Sequence, residues 1–424
     1  MAKKTAKKKV TKKTASRTAS RKVTKKTASR PATGRSSAAK KAKKIKKVKK
    51  KASSSRSVKR GAKSDEIGKK LVNMGFSALK EIEKKRSPKL SIPVRSLSNV
   101  SFNKRRSIIE LGKGKQDRTF FNVGMAKKFM QTYLVAEACK QLVDEGKTTS
   151  IRDLYYMVKR TIADSTVNTV DDQSESDACL EDLEVAIDSL REELHLFASN
   201  RGAMVGNVTL RDSGDIIDCR RMGSGGYSVP SIVEPDVVQF LEIDANFILL
   251  VEKDAVWRRL NEDKFWVDYN CILMHGGGMP PRGVRRMTHR LAYEANLDLY
   301  VFVDNDPWGY YIYSVVKQGS INLAYESIRM AVPHARFVGL SAFDKERFNL
   351  PDDDKLRLND QDINRAKQIK DYPWFQKKEW QIELKKMLEN KMKYEIEALS
   401  GKGISFVTEE YLPHKLAHPE EMLD

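Results

Sequence analysis

Three short apolar runs in the second half of the chain constrain its fold more than anything else in the sequence. Residues 247–251 (FILLV) end on Glu252, residues 271–274 (CILM) end on His275 and the glycines Gly276, Gly277 and Gly278, and residues 299–303 (LYVFV) end on Asp304. None of them alternates apolar with polar, so each needs cover on both faces. Helical periodicity at 255–261, 284–295 and 310–316 supplies that cover. Parallel strands need long crossovers, and the crossover helices bury both faces of the sheet. The pattern therefore predicts an α/β unit of the doubly wound kind, beginning near residue 229 and running to residue 424.

In such a sheet the functional groups gather beyond the carboxyl ends of the strands. Here one strand ends on Glu252 and another on Asp304-Asn305-Asp306. In an extended chain, alternation places Asp304 and Asp306 on one side, so their carboxylates can converge. An all-oxygen donor set favours a hard cation, Mg²⁺ or Mn²⁺, and carboxylate-held Mg²⁺ commonly acts on phosphates. Acids that merely end strands in solvent are the plain alternative for any one of these residues. A glutamate and an Asp-x-Asp at two strand ends together outweigh it.

The first part of the chain has a different grammar. Apolar residues recur at helical spacing from Ile67 to Ile82, residues 89–103 are extended and punctuated by Ser and Pro, and 125–145 is amphipathic and closed by Gly146. Ser150 with Asp153 marks a helix start that runs to about Arg160, and 180–196 is a third periodic segment. Two β-like runs, 207–210 and 216–218, then flank a turn at 212–215. Three helices followed by a hairpin is the order of a winged helix. A Gly-rich loop at 223–227 and a Pro-bounded linker at 230–235 lead into the α/β unit.

The charge is confined to one end. Of the 79 Lys and Arg, 27 fall within residues 1–64, which hold no acid, leaving 52 to face all 56 Asp and Glu. The nonapeptide KVTKKTASR occurs at 9–17 and again at 22–30. With so few apolar groups this segment cannot offset the entropy of ordering, and it is expected to be a disordered tail that binds polyanions by counterion release. No run approaches the ~18 apolar residues of a membrane span, so no membrane association is expected. The four cysteines, Cys139, Cys179, Cys219 and Cys271, form no C-x-x-C pair, which argues against a zinc ribbon or a disulfide framework.

A nucleophile is harder to find. No G-x-S-x-G and no phosphate-binding G-x-x-x-x-G-K-[ST] occurs, so no nucleotide pocket is expected. Tyr155 and Tyr156 are neighbours on the short helix after Arg152 and Asp153. Successive helical residues diverge by ~100°, so one ring packs and the other faces outward. An exposed phenol needs a cation or a base to become nucleophilic near neutral pH, and Arg152 is the candidate.

Four motifs now stand together: RDLYY at 152–156, VEKDAVWRRL at 251–260, VDNDPWG at 303–309 and EEYLPHKL at 409–416. Their order and spacing resemble the A subunit of DNA topoisomerase VI, a family that includes the meiotic double-strand-break transesterase. The similarity runs from about Asp65 to Leu416. It implies a winged-helix domain within 65–228 carrying the catalytic tyrosine, and a Toprim metal-binding domain with helical elements within 229–424, preceded by the tail at 1–64. It assigns Tyr156 as the residue that becomes joined to a 5′ phosphate, Arg152 as the motif arginine, and Glu252, Asp304 and Asp306 as the Mg²⁺ ligands. It also implies double-stranded DNA as substrate, a homodimer in which each tyrosine works with the metal site of the opposite protomer, and a separate ATP-binding B subunit in an A₂B₂ assembly. The expected location is the cytoplasmic nucleoid, or the nucleus in a eukaryote.

The family stretch G-K-G-x-P-D-x-x-T-R is kept here at Gly276, Gly278, Pro280 and Arg285. Gly277 replaces its lysine, Pro281 its aspartate and Val284 its threonine, and the lost lysine removes one phosphate contact from the expected DNA path. Two rival readings remain at this stage. One is a recombination initiator that cuts without resealing. The other is a DNA-packaging protein whose enzymatic body is inert.

Overall fold

The computed structural model describes residues 55–424, with side chains from Ser64 onward except that of Asp352. The basic segment therefore lies outside the described residues, except that 55–64 open the first helix, α1 (Ser55–Glu83). Four strands follow: β1 (Lys89–Pro93), β2 (Val100–Asn103), β3 (Ile108–Leu111) and β4 (Lys115–Thr119). They pair antiparallel as β1 with β4 and β2 with β3. The extended reading of 89–103 covers the first two. Strand β4 (KQDRT) has no apolar residue and lies largely in solvent, so hydrophobic patterning carries no trace of it.

Helix α2 (Val123–Glu145) starts at Asn122, whose side chain accepts from Gly124 N, and ends at Gly146 with φ 63°. Strand β5 (Thr149–Ser150) leads into α3 (Ile151–Val158), where Ser150 Oγ accepts from Asp153 N at 3.0 Å. Next come α4 (Gln173–Ala186) and β6 (Leu196–Phe197), the latter parallel to β5. The helix expected at 180–196 is thus displaced toward the N-terminus. Asp172 caps it, accepting from Ser174 N and Glu175 N, and the chain then breaks at Asp188 with φ 47°. Ile187, Leu194 and Leu196 still bury in the same core beyond the end of the helix, which is why their periodicity resembles helix. That core joins Ile67 and Leu71 of α1 to Val135, Cys139, Leu154, Val158, Leu180 and Leu183.

The next segment holds β7 (Ala203–Gly206), β8 (Val208–Asp212), β9 (Asp215–Asp218), β10 (Tyr227–Ser228) and β11 (Val238–Ile243). The hairpin expected from the sequence forms between β8 and β9, turning at Ser213 and Gly214, both at positive φ. The free edge of β8 pairs with β11, and Val208, Leu210 and Val238 bury with Ile248 and Ile272 of the large sheet.

That sheet is built from β12 (Phe247–Val251), α5 (Asp254–Glu262), α6 (Phe265–Asp268), β13 (Cys271–His275), α7 (Arg282–Glu294), β14 (Asp298–Phe302), α8 (Pro307–Gln318), α9 (Ser327–Met330) and β15 (Arg336–Gly339). Its order is β10-β7-β13-β12-β14-β15, with the last four strands parallel and β7 and β10 added antiparallel at one edge. Alternate residues feed two cores. Ile248, Leu250, Ile272 and Val301 pack beneath α7 and α8, while Leu249, Val251, Leu273 and Phe302 pack with α5, α6 and the C-terminal segment.

The chain finishes with α10 (Asp344–Arg347), β16 (Leu356–Arg357), α11 (Asp360–Asp371), α12 (Lys378–Asn390), β17 (Met392–Lys393) and α13 (Leu412–Ala417). The EEYLPHKL motif at 409–416 is structural. Lys415 is fully buried 2.6 Å from Asp344, and the Tyr411 hydroxyl donates to the same carboxylate at 2.8 Å. A buried charge persists only with such partners.

Candidate active site

The backbone fixes the acids before any side chain is considered. Glu252 is the first residue past β12, and its N–H donates to Phe302 O of β14 at 2.9 Å, so the ends of the two strands are held level. Asp304 N in turn donates to Glu252 Oε2 at 3.1 Å. Asp304 Oδ1 accepts from Ile396 N at 2.8 Å, and Asp306 Oδ1 caps α8 by accepting from Gly309 N at 2.6 Å. Glycine is required at 309, because a Cβ there would stand 2.4 Å from the Asp304 carbonyl oxygen.

Burial raises the pKa of all three carboxyls, and for Glu252 the neighbouring charges of Asp304 and Asp306 add to the effect. Three anions crowded at a dry strand end call for a cation. Among the described residues no three such groups converge in one coordination sphere. Glu252 and Asp304 come together, while Asp306 stands beside them as the cap of α8. The donor set nevertheless fits Mg²⁺, which is commonly held by one or two carboxylates with water and substrate phosphate completing the shell. Each carboxylate has one oxygen oriented by a backbone amide, so the ligands are aimed in advance. His275, at the end of the neighbouring strand, turns away toward Asp254 on α5, 3.3 Å from its carboxylate.

Sequence reasoning missed what surrounds these acids. Lys253 reaches Asp304, Glu395 and Glu397. Asn305, between the two aspartates, donates through Nδ2 to Glu383 on α12 at 3.3 Å, and its backbone exchanges hydrogen bonds with Tyr394. Glu383 also accepts from the Tyr310 hydroxyl and from Ala342 N, and burial pushes its pKa up to about 7. No local pattern signals Glu395 and Glu397: Glu395 is the N-cap residue of a short 3-10 helix that Glu397 lies in, and both meet Lys253 only through the tertiary fold.

Tyr156 and Arg152 lie on α3, in the helical part. Tyr155 packs into the helical core, its hydroxyl donating to Asp171 O at 3.1 Å and accepting from Lys159 Nζ at 2.6 Å. Tyr156 is 59% exposed, its ring centroid 4.9 Å from that of Tyr155. Arg152 precedes it by four residues, hence on the same helical face. No hydrogen bond or ion pair joins Tyr156 or Arg152 to Glu252, Asp304 or Asp306 among the described residues.

Three family descriptions match successive parts of the chain. They are the type IIB DNA topoisomerase family over 127–196, the all-beta domain of the DNA topoisomerase VI alpha chain over 200–244, and the Toprim domain of the topoisomerase 6 A subunit/Spo11 family over 247–416. The first contains α3 with Tyr156, the second contains β8, β9 and β11, and the third contains all three acids. Among curated relatives, the A subunit of type 2 DNA topoisomerase 6 from Pyrococcus abyssi is 41% identical over 83% of this chain and 94% of its own. Its counterpart from Aeropyrum pernix is 40% identical over 80% and 91%, and that from Halobacterium salinarum 37% over 78% and 90%. With identity at that level along most of both chains, this protein belongs to the topoisomerase 6 A subunit/Spo11 family of type IIB DNA topoisomerases.

Proposed function

We propose that this chain is the DNA-cleaving A subunit of a topoisomerase VI-like enzyme, breaking both strands of a duplex transiently through tyrosine transesterification. The observation that carries the reading is the division of labour between Tyr155, which is packed, and Tyr156, which is exposed beside Arg152 on α3. The Tyr156 oxygen attacks phosphorus. The new P–O bond to tyrosine forms as the bond to the 3′ oxygen breaks, and the released 3′ hydroxyl takes up the proton. The 5′ phosphotyrosyl link keeps the phosphodiester energy, so the reverse attack reseals the strand. Arg152, one turn before Tyr156 on the same helix, would offset the charge developing at the phosphate.

Glu252 and Asp304 would hold Mg²⁺, with Asp306 as the adjoining ligand, and the bound cation would supply Lewis-acid stabilisation at the phosphate. One tyrosine per chain and two strands to cut support a homodimer. The lack of contact between Tyr156 and the carboxylates of its own chain supports pairing each tyrosine with the acids of the second copy. A partner B subunit would bring ATP-driven strand passage. Helix α1 supports such a partner: Ile67 and Leu71 face the core, while Val72, Phe76, Leu79 and Ile82 form a second, exposed apolar face. We assign residues 1–64 the role of holding DNA near a body whose own net charge is −4. No helix among the described residues is long and apolar enough to cross a membrane. Coexpression with a candidate B subunit, followed by an ATP-dependent decatenation assay, tests the reading; absence of Tyr156-dependent activity in that complex would refute it.

A further inference from the structure

Lys253 follows Glu252 directly, yet its ammonium returns to the acids. Nζ stands 3.1 Å from Asp304 Oδ2, 2.7 Å from Glu395 Oε2 and 2.5 Å from Glu397 Oε2, and the side chain is only 21% exposed. The segment bearing the two glutamates is pinned to the same place. Asn305 N donates to Tyr394 O at 2.8 Å, Tyr394 N donates back to Asn305 O at 3.2 Å, and Ile396 N occupies Asp304 Oδ1. One lysine therefore joins the end of β12, the loop after β14 and the C-terminal segment.

The geometry sets up a contest for one atom. With Asp304 Oδ1 engaged by the Ile396 amide, Oδ2 is the oxygen more open to a divalent cation, and it faces the ammonium. Glu395 and Glu397 offer the ammonium a second home, at 2.7 and 2.5 Å. Lysine suits such a role because its charge is compact and its stem flexible, whereas arginine would fork across two acceptors. We propose that Lys253 is a positioning residue that competes with the divalent cation for Asp304 Oδ2, and that Glu395 and Glu397 set metal affinity by drawing the ammonium off. The proposal rests on the reading of Glu252 and Asp304 as metal ligands. When the cation is bound, the displaced ammonium remains next to the site, where a phosphate can meet it.

Mn²⁺ binding to the full chain without DNA, followed by electron paramagnetic resonance of the free ion, reads this directly. Lys253→Met should tighten Mn²⁺ binding about tenfold, the scale of one close and partly screened charge pair. Lys393→Met removes an equal charge that pairs with Asp362 at 2.9 Å and acts on Asp306 through the field alone, so it should change affinity less. The pair Glu395→Gln with Glu397→Gln should weaken binding in the native background and have little effect beside Lys253→Met. Thermal melts check folding, and Lys253→Gln replaces the methionine variant should that one melt early. Equal tightening by the Lys393 and Lys253 variants would reduce the effect to a general field and overturn the proposal. So would weaker binding in Lys253→Met, or an undiminished effect of the glutamine pair beside it. Mn²⁺ binding indifferent to Glu252→Gln and Asp304→Asn would instead overturn the metal reading itself.

Discussion

Glu383→Gln isolates the group that shapes the loop between the two aspartates. Glu383 Oε1 takes hydrogen bonds from Asn305 Nδ2, the Tyr310 hydroxyl and Ala342 N, while Oε2 is buried with no partner. Glutamine keeps Oε1 as an acceptor and places an amide where Oε2 was, at a pH-independent cost of about 1–3 kcal/mol for an unpaired buried donor. The pH-dependent part comes from the carboxyl alone. Burial raises it to about 7 in the folded protein, against an ordinary value of 4.5. The folded state then holds the proton more tightly than the unfolded chain. The associated stability is fully present below pH 4.5 and is withdrawn as pH rises to about 7. At about 1.4 kcal/mol per pKa unit the loss is roughly 3 kcal/mol. Urea unfolding of both proteins at pH 5 and pH 8 supplies the test, taken as the difference between parent and variant so that other titrating groups cancel. The parent should lose up to about 3 kcal/mol more than the variant across that interval. Identical pH dependence in the two would refute the reasoning.

Three further outcomes follow from the same geometry. Gly309→Ala should destabilise by about 1–3 kcal/mol and weaken Mn²⁺ binding, because its Cβ must push the start of α8 from the Asp304 carbonyl; an unchanged melt and affinity would contradict the close approach. Glu252→Gln, melted in chelator, should be as stable as the parent or more so, since it keeps the acceptor for Asp304 N and removes one of three like charges; a loss above about 1 kcal/mol would show that the acids do not repel there. Tyr155→Phe should retain covalent cleavage, scored by denaturant trapping of the complex with the B subunit, because the Tyr155 hydroxyl is engaged by Asp171 O and Lys159; loss of the adduct would reverse the roles of the two rings.

What the sequence disclosed and what it hid divide along a physical line. Phe247–Val251 was visible as a strand because burial on both faces leaves an uninterrupted apolar run, and Glu252 was visible because a single acid ends that run. The β8–β9 turn was visible in Ser213-Gly214, but its partner β11 was not, because local periodicity says nothing about which edge a strand joins. Helix α4 was misplaced because Ile187 and Leu194 bury through turns with nearly helical spacing. Lys253 bonds to Glu395 and Glu397 across 142 and 144 residues, and no local pattern encodes such a meeting. Gly277 has φ 65°, so the lysine usual there in the family would sit in the left-handed region at a cost of about 1–2 kcal/mol in this loop.

The central claim is that Tyr156, and not its neighbour, joins covalently to DNA. The most direct measurement incubates the chain with a B subunit, ATP, Mg²⁺ and duplex DNA, traps the complex with denaturant, digests the nucleic acid and locates the residual nucleotide by mass spectrometry. The account predicts that the nucleotide is found on Tyr156, that every attached strand is linked through its 5′ end, and that Tyr156→Phe abolishes the adduct while leaving DNA binding intact. An adduct on Tyr155 or on a serine, or a 3′ linkage, would contradict it.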